Sequence, residues 1–107
     1  LIQKLKAANI PVCVHLSAEL PSIDDLAQQF TQAGAQLCLL ESVFPTIAKK
    51  ITQTLKIPVI GHHSGSHTDG QMIEPPHHFL NQTSLDILRT IQSHVTQLRK
   101  GDFLYQE

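Results

Sequence analysis

The chain has 107 residues, of which 41% are hydrophobic and 16% are charged, a composition typical of a globular domain. Eight Lys and Arg residues nearly balance nine Asp and Glu residues, giving a formal net charge of -1. This balance argues against nucleic acid or an acidic membrane surface as a partner, because both are bound through a surplus of positive charge. No apolar stretch approaches the roughly 18 residues that span a bilayer, so we expect no membrane partner.

Hydrophobic periodicity predicts an alternation of helices and strands from the start of the chain. A helical segment over 1–8 ends near Asn9, a residue type that tolerates the left-handed backbone conformation. The next segment, 11–16, is nearly continuous in its apolarity, which is typical of a strand covered on both faces. A clear helix follows, with Ser22 as the expected N-cap and Gly34 as the stop.

The same alternation continues in the middle of the chain. A second strand over 36–41 is followed by a helix that opens at Pro45. A third strand over 57–61 leads into a loop rich in Gly, Ser and His. Residues 71–73 are a candidate for a very short fourth strand.

The last predicted helix runs from about 84 to 99 and carries an apolar stripe. Its expected inward-facing residues are Leu85, Leu88, Ile91, Val95 and Leu98. The order of elements is that of right-handed βαβ units around a parallel sheet. We therefore predict an α/β fold that forms a single domain over residues 1–107.

Cys13 and Cys38 each lie inside an apolar run. Cysteine behaves there as a small hydrophobic residue, so we predict that both are buried and unpaired in a reducing compartment. A disulfide between them is the less favoured alternative.

Polar residues stand at the ends of the predicted strands, at the sheet edge where catalytic groups collect. Glu41 follows four apolar residues, and burial there disfavours a charged carboxylate, which makes Glu41 a candidate general base. The alternative is a solvated Glu41 paired with Lys49 or Lys50. His15 ends the preceding apolar run, where an imidazole can hydrogen-bond a substrate oxygen, and a purely structural role fits this position equally well.

The loop over 61–70 contains side chains of the types that suit zinc. They are His62, His63, His67 and Asp69. The His63/His67 spacing fits one turn of a helix, but the Gly and Ser content argues against a helix there. No Cys pair or His-Glu-x-x-His signature accompanies these residues. A solvated loop is therefore the favoured interpretation, and a metal-binding loop is the alternative.

Several segments resemble the ketopantoate hydroxymethyltransferase family. They are IPVCVHL (10–16), LLESV (39–43), ITQTLKIPVIG (51–61), TDGQ (68–71) and VTQLRKGDF (95–103). The matches fall in order along nearly the whole chain. The family folds as a (β/α)8 barrel, an architecture of about 250 residues. The resemblance therefore maps this chain onto the carboxyl-terminal half of a TIM-type barrel.

In that family a divalent metal, usually Mg²⁺, stabilises the enolate of a keto acid, which attacks the methylene group of tetrahydrofolate. The resemblance implies hydroxymethyl transfer from methylene-tetrahydrofolate to 2-oxoisovalerate, giving ketopantoate for pantothenate and coenzyme A biosynthesis. Glu41 matches the family's general base, and His15 matches its substrate-proximal His. Asp69, Gly70 and Gln71 match a loop with backbone roles at the barrel mouth.

The chain departs from the family pattern on the catalytic face. The family's metal-binding aspartates and a substrate-proximal Lys come from the first half of the barrel, so they have no counterpart here. Its Gly-Ile-Gly-Ala-Gly run is GHHSG at 61–65, which puts His63 where the backbone usually needs no Cβ. The segment after His15 is shortened to 16–21, and 74–77 replace the family's His-Asp.

Two functional hypotheses remain open from the sequence. In the first, the chain is the catalytic carboxyl half of such an enzyme, or a split subunit of it, acting in the cytoplasm. In the second, it is a catalytically inactive divergent remnant or split subunit of the family, either with or without a His-rich metal-binding loop. In both cases a half-barrel has open sheet edges and an uncovered apolar interior. We therefore expect a homo-oligomer or a complementing half-barrel chain as partner. Because the sequence does not start with Met, we also expect it to be part of a longer protein.

Overall fold

The computed structural model describes residues 1–73 and 83–100. The helices are α1 (Ile2–Ala7), α2 (Ile23–Ala33), α3 (Pro45–Thr54) and α4 (Ser84–Arg99). The strands are β1 (Cys13–Ser17), β2 (Leu37–Glu41), β3 (Val59–His62) and β4 (Gly70–Gln71). The predicted alternation is therefore confirmed over these ranges. The replaced segment 74–77 and the end of the family-like tail, 101–103, lie outside the described residues.

The described strands form one parallel sheet in the order β1-β2-β3-β4. Its register pairs Ser17 with Glu41, and Glu41 with His62. The carboxyl ends of three neighbouring strands therefore meet at one edge. This arrangement confirms the α/β class with parallel βα units, whereas closure into a (β/α)8 barrel stays a prediction from the resemblance.

The connection from β3 to β4 is a crossover without a helix. Strand β3 ends at His62 and the parallel β4 begins at Gly70, so residues 63–69 alone return across the sheet. Parallel strands usually need a connection of about a dozen residues or more. The crossover packs closely on β3, because a Cβ at Gly61 would lie 2.7 Å from Oγ1 of Thr68.

Asp69 and Gln71 hold this crossover in place. The backbone N–H of Asp69 donates to the carbonyl of Val59, and its Oδ2 accepts the N–H of Val59, both at 2.8 Å. Gln71 Nε2 donates to the carbonyl of Gly65 at 2.9 Å. The structural role expected for this segment is confirmed, but the place expected for Asp69 is not. Val59 begins β3, so Asp69 lies at the sheet edge opposite the carboxyl ends rather than at a barrel mouth.

The hydrophobic core lies on the face of the sheet that α2 and α3 cover. Its buried members are Leu16, Ile23, Ala27, Cys38, Leu40, Val43, Ala48, Ile51 and Val59. The helical members recur at three- and four-residue spacing, the pattern of a buried stripe. Pro45 opens α3 as predicted.

The opposite face of the sheet is only partly covered by the described residues. Along β1, Cys13 and His15 are exposed, whereas Leu16 is buried. The prediction that this strand is covered on both faces is therefore wrong for the described part of the chain. Apolar residues on both sides of a strand indicate that both faces are buried in the complete protein. The pattern does not identify the segment or chain that packs on the second face.

The ends of the first two helices are set by left-handed residues. Asn9 has a φ of 59° just beyond α1, and Gly34 has a φ of 118° at the end of α2, as predicted. Ser22 is the N-cap of α2, but its side chain makes no cap hydrogen bond. The reason is its own backbone, because a φ of 49° departs from the extended conformation from which a serine caps.

Helix α4 has the predicted bounds but not the predicted buried face. Leu85 is 56% exposed and Leu88 is 54% exposed, so their inward orientation is not found among the described residues. Ile91 and Val95 are half-buried. The amphipathic pattern thus predicted the helix correctly, but the described elements do not pack over its apolar face. None of the helices in 1–73 and 83–100 has the length and apolarity to cross a membrane.

The two cysteines are both free, but only Cys38 is buried, so the predicted burial of Cys13 is wrong. Burial raises the pKa of the Cys38 thiol to about 11, with a smaller contribution from Cys13. Because the thiolate is the reactive form, we expect one thiol per folded chain to react with an alkylating reagent at pH 8. Mass spectrometry should place the label on Cys13, and Cys38 should react only in denaturant. Labelling of folded Cys13→Ser protein at the same rate would contradict this assignment.

Candidate functional site

Glu41 is the last residue of β2, at the carboxyl edge of the sheet. Its Oε2 lies 2.7 Å from Nε2 of His15 on β1. His15 pairs in register with Leu39, two residues before Glu41, so both side chains project from the same face of the sheet. An ionised carboxylate only accepts hydrogen bonds, so Nε2 of His15 is the donor. The structure therefore brings the two residues singled out from the sequence into direct contact.

A second imidazole lies on the other side of the carboxylate. His62 ends β3 and pairs in register with Glu41, and its Nδ1 is 3.7 Å from Oε1 of Glu41. His62 is only 6% exposed. Its ring stacks on that of His63, with 4.2 Å between the ring centroids and 24° between the planes. Each carboxylate oxygen of Glu41 thus faces a different histidine.

His62 is the member of this cluster that the sequence pattern does not predict at a strand end. The third strand is predicted to end at Gly61, which makes His62 a candidate metal ligand in the following loop. A usable signal is present, since His62 is the first polar residue after the apolar stretch Val59-Ile60-Gly61. Glu41 has the same position on β2. The first polar residue at the carboxyl end of each apolar strand is a candidate catalytic group. If the third strand is extended by one residue, this criterion identifies His15, Glu41 and His62.

The cluster is open to water on one side. The side chain of Glu41 is 39% exposed and that of His15 is 55% exposed. The desolvation expected for a buried strand end is therefore incomplete among the described residues. Neither Lys49 nor Lys50 forms an ion pair with Glu41 among the described residues, and Lys50 instead donates to Oδ2 of Asp24 at 3.1 Å.

The Asp24–Lys50 pair belongs to a different surface. Mainly through its hydrogen bond, Lys50 holds the pKa of the exposed Asp24 carboxyl below its usual value. The pair joins α2 to α3 beside a cleft between these helices. The cleft is lined by Asp24, Asp25, Gln28, Lys50, Ile51, Thr54 and Leu55. None of these residues is part of the Glu41 cluster.

The backbone turns sharply directly after both Glu41 and His62. Ser42 has a φ of 53° and His63 has a φ of 52°, values in the left-handed region. Such a conformation costs a non-glycine residue on the order of 1–3 kcal/mol, and such residues gather at functional sites. The positive φ also explains the glycine of the family pattern at position 63. The N–H of Ser42 donates to the carbonyl of His62 at 2.8 Å, which ties the two strand ends together.

Ser64 lies fully buried beneath these strand ends. Its Oγ accepts the backbone N–H of Val43 at 3.0 Å. The single hydrogen of the same hydroxyl has two carbonyl acceptors within reach, that of Leu40 at 3.0 Å and that of His62 at 3.2 Å. One small side chain therefore links the backbone on both sides of Glu41 to the end of β3.

Ser64→Ala is expected to lower the free energy of unfolding by about 1–3 kcal/mol, because it leaves the buried N–H of Val43 without this acceptor. Urea denaturation followed by circular dichroism measures the change. The matched control is Ser66→Ala, an exposed position in the same crossover, where we expect a change within about 0.5 kcal/mol. Equal midpoints for the two variants would contradict the role given to Ser64.

The residues proposed for a His-rich metal loop are not arranged as a metal site. Within 1–73 and 83–100, no group of three or more His, Cys, Asp or Glu side chains is arranged to hold a metal ion. His62 and His63 stack on each other, and His67 is exposed in the crossover. The metal-binding form of the second hypothesis therefore has no support in this part of the chain.

Known proteins are similar to this chain over much of its length. A 3-methyl-2-oxobutanoate hydroxymethyltransferase of Idiomarina loihiensis is 38% identical over 67% of this chain and 34% of its own length. A protein of the same name from Colwellia psychrerythraea is 30% identical over 95% of this chain and 51% of its own. A probable 3-methyl-2-oxobutanoate hydroxymethyltransferase of Schizosaccharomyces pombe is 29% identical over 100% of this chain and 52% of its own.

The chain thus spans about half or less of the length of the curated relatives it matches. The model of the family described as ketopantoate hydroxymethyltransferase matches residues 17–86, which include Glu41 and His62. His15 falls just before this match, and the relative from Schizosaccharomyces pombe extends the similarity over the whole chain. By this similarity, together with the parallel βα units, the chain belongs to the ketopantoate hydroxymethyltransferase family.

Proposed function

We propose that the chain supplies the Glu41 side of an active site for hydroxymethyl transfer. The reaction takes the one-carbon unit from methylene-tetrahydrofolate to 2-oxoisovalerate, which is 3-methyl-2-oxobutanoate, and yields ketopantoate for pantothenate biosynthesis. The observation that supports this most is the Glu41 carboxylate at the carboxyl edge of a parallel sheet, with His15 and His62 on its two sides. This edge is where enzymes with parallel strands place their chemistry.

In this proposal Glu41 is the general base. The C3 hydrogen of the keto acid lies next to the carbonyl group, so its removal leaves an enolate. Oε2 of Glu41 is already 2.7 Å from His15, which leaves Oε1 to take the proton. The electron pair of the broken C–H bond becomes the enolate, which forms a new C–C bond to the methylene carbon as one of the two C–N bonds to the folate breaks, and the freed nitrogen takes up the proton that Glu41 removed. Water then replaces the second folate nitrogen on this carbon, giving its oxygen to the hydroxymethyl group and a proton to that nitrogen, and tetrahydrofolate leaves.

His15 is the proposed substrate-binding residue. Its ring is more than half exposed beside the base, so a bound keto acid can reach it. Nε2 donates to Glu41, and the imidazolium form of the ring has a second N–H, at Nδ1, that can donate to a carboxylate or carbonyl oxygen of the substrate. This double use orients the keto acid relative to the carboxylate that deprotonates it.

The described residues do not fit a Mg²⁺ site by themselves. Mg²⁺ prefers oxygen ligands in an octahedron, whereas the cluster offers one carboxylate between two imidazoles. We infer that the metal ligands, the folate contacts and the cover of the open sheet face come from outside these residues. A complementing half-barrel or further copies of the chain would provide them.

Reconstitution tests the proposed activity. The chain is combined with the half of the Colwellia psychrerythraea relative that it does not match, and ketopantoate is measured by mass spectrometry. We expect product only when both halves and both substrates are present. Each half alone is the control, and sedimentation verifies that a complex forms. A stable complex that makes no ketopantoate would contradict the proposal.

A further inference from the structure

His62 is the one imidazole of the cluster that the proposed reaction does not use. It is 6% exposed, so it is poorly placed to bind a substrate directly. Its Nδ1 nevertheless lies 3.7 Å from Oε1 of Glu41, the oxygen assigned to take the proton. The family pattern given above has an apolar Ile at this position. The buried imidazole beside the base therefore distinguishes this chain from the family pattern, and the proposed reaction gives it no role.

We propose that His62 is a positioning residue that fixes Oε1 of Glu41 for proton abstraction, an inference that rests on the proposed role of Glu41 as the base. A glutamate has three rotatable side-chain bonds, and the contact with His15 constrains only Oε2. His15 is itself 55% exposed, so it is a weak anchor. A second, buried group on the Oε1 side limits rotation of the carboxylate about its remaining bonds.

The surroundings of His62 give it the rigidity that this role needs. Its ring stacks on His63, and its carbonyl accepts the N–H of Ser42 at 2.8 Å. The hydroxyl of Ser64 lies 3.2 Å from the same carbonyl oxygen. These contacts join the residue after Glu41 to the end of β3. The two backbone positions that carry the carboxylate and the imidazole are therefore held at a fixed separation.

The distance of 3.7 Å also has a chemical meaning. It exceeds a hydrogen bond by about half an ångström, since N–H···O distances extend to about 3.2 Å. Contacts of catalytic groups are often long in the free enzyme and shorten when substrate binds. At this distance the buried imidazole restricts rotation of the carboxylate on the Oε1 side, and the loss of His62 removes the restriction.

Exchange of the C3 hydrogen of 2-oxoisovalerate in deuterated water, followed by NMR, isolates the step that Glu41 performs. In the reconstituted complex, His62→Ile removes the polar atom and installs the residue of the family pattern. We expect its kcat for exchange to fall about 10-fold, with KM within about twofold, because misplacement of a reacting group lowers the rate of the bound state. His62→Asn keeps a polar atom at the place of Nδ1 and should recover most of this loss.

The matched control is His67→Asn, which changes an exposed histidine of the same crossover and should leave kcat and KM unchanged. Circular dichroism verifies that all variants fold. A His62→Ile protein with the kcat of the parent would overturn the proposal. So would equal losses in the Ile and Asn variants, since these indicate a role in packing.

A second measurement separates this inference from the proposed function. Nitrogen-15 spectra of the imidazole rings report whether Nε2 of His15 carries the proton donated to Glu41. We expect this signal in the parent and in His62→Asn, and its loss or broadening in His62→Ile, where the carboxylate is free to rotate away. If the parent has no exchange activity, the function fails, and the His15 signal still decides the positioning role. An unchanged His15 signal in folded His62→Ile would overturn that role.

Discussion

Glu41→Gln is expected to reduce the turnover of the reconstituted enzyme by about 10²- to 10⁴-fold, the contribution typical of a general base. The amide has nearly the shape of the carboxylate and retains an oxygen that can accept from His15, so folding and substrate binding should change little. It cannot take a proton from C3 of the keto acid. The loss should therefore appear in kcat, and hydrogen exchange in deuterated water should fall together with ketopantoate formation.

The matched control is Glu19→Gln, which removes one negative charge from an exposed position beyond the end of β1. Because Glu19 is not part of the cluster, turnover should stay within about twofold of the parent, as for an ordinary surface change. The two variants have the same net charge, so the comparison isolates the place of the carboxylate. A Glu41→Gln enzyme that keeps more than a tenth of the parent turnover would remove Glu41 from the role of base.

The site could be predicted from the sequence to the extent that it follows the rule of strand ends. That rule found Glu41 and His15, because each ends an apolar run and parallel strands end at the same edge. It placed His62 in the loop, because Gly61 resembles a stop. The direct contact between His15 and Glu41 could not be predicted, since it depends on the register of β1 and β2 rather than on either segment alone.

The fold was predictable where the information is local. The positive φ values of Asn9 and Gly34 follow from residue type, and the four predicted helices follow from periodicity. The exposure of Leu85 and Cys13 is different in kind. An apolar side chain in a regular pattern shows that a surface requires cover, but the covering layer can come from a part of the protein that the pattern does not contain. The predicted location of Asp69 at the barrel mouth is wrong for a related reason. The short crossover between β3 and β4 places Asp69 at the opposite edge of the sheet, where the strands begin.

The one-sided core leads to a second large effect, on stability rather than on activity. Leu40 is fully buried under the helices, while its neighbour Leu39 is half-buried on the uncovered face of the same strand. Leu40→Ala should lower the free energy of unfolding of the chain by about 2–5 kcal/mol, the cost of removing a buried leucine side chain. That is a large share of the roughly 5–15 kcal/mol that stabilises a typical domain, so the variant should unfold at much lower urea concentrations.

Leu39→Ala is the control that makes this a test of the open face, because it deletes the same atoms one residue away. In the chain alone it should lower the free energy of unfolding by less than about 1.5 kcal/mol. The reason is that a half-buried side chain removes less apolar surface from water on folding than a fully buried one. In the reconstituted complex the same substitution should cost more and weaken association, because the partner half then covers that face. Equal costs for both variants in the chain alone, at every protein concentration, would mean that Leu39 already lies in a closed core, and the need for a covering partner would disappear.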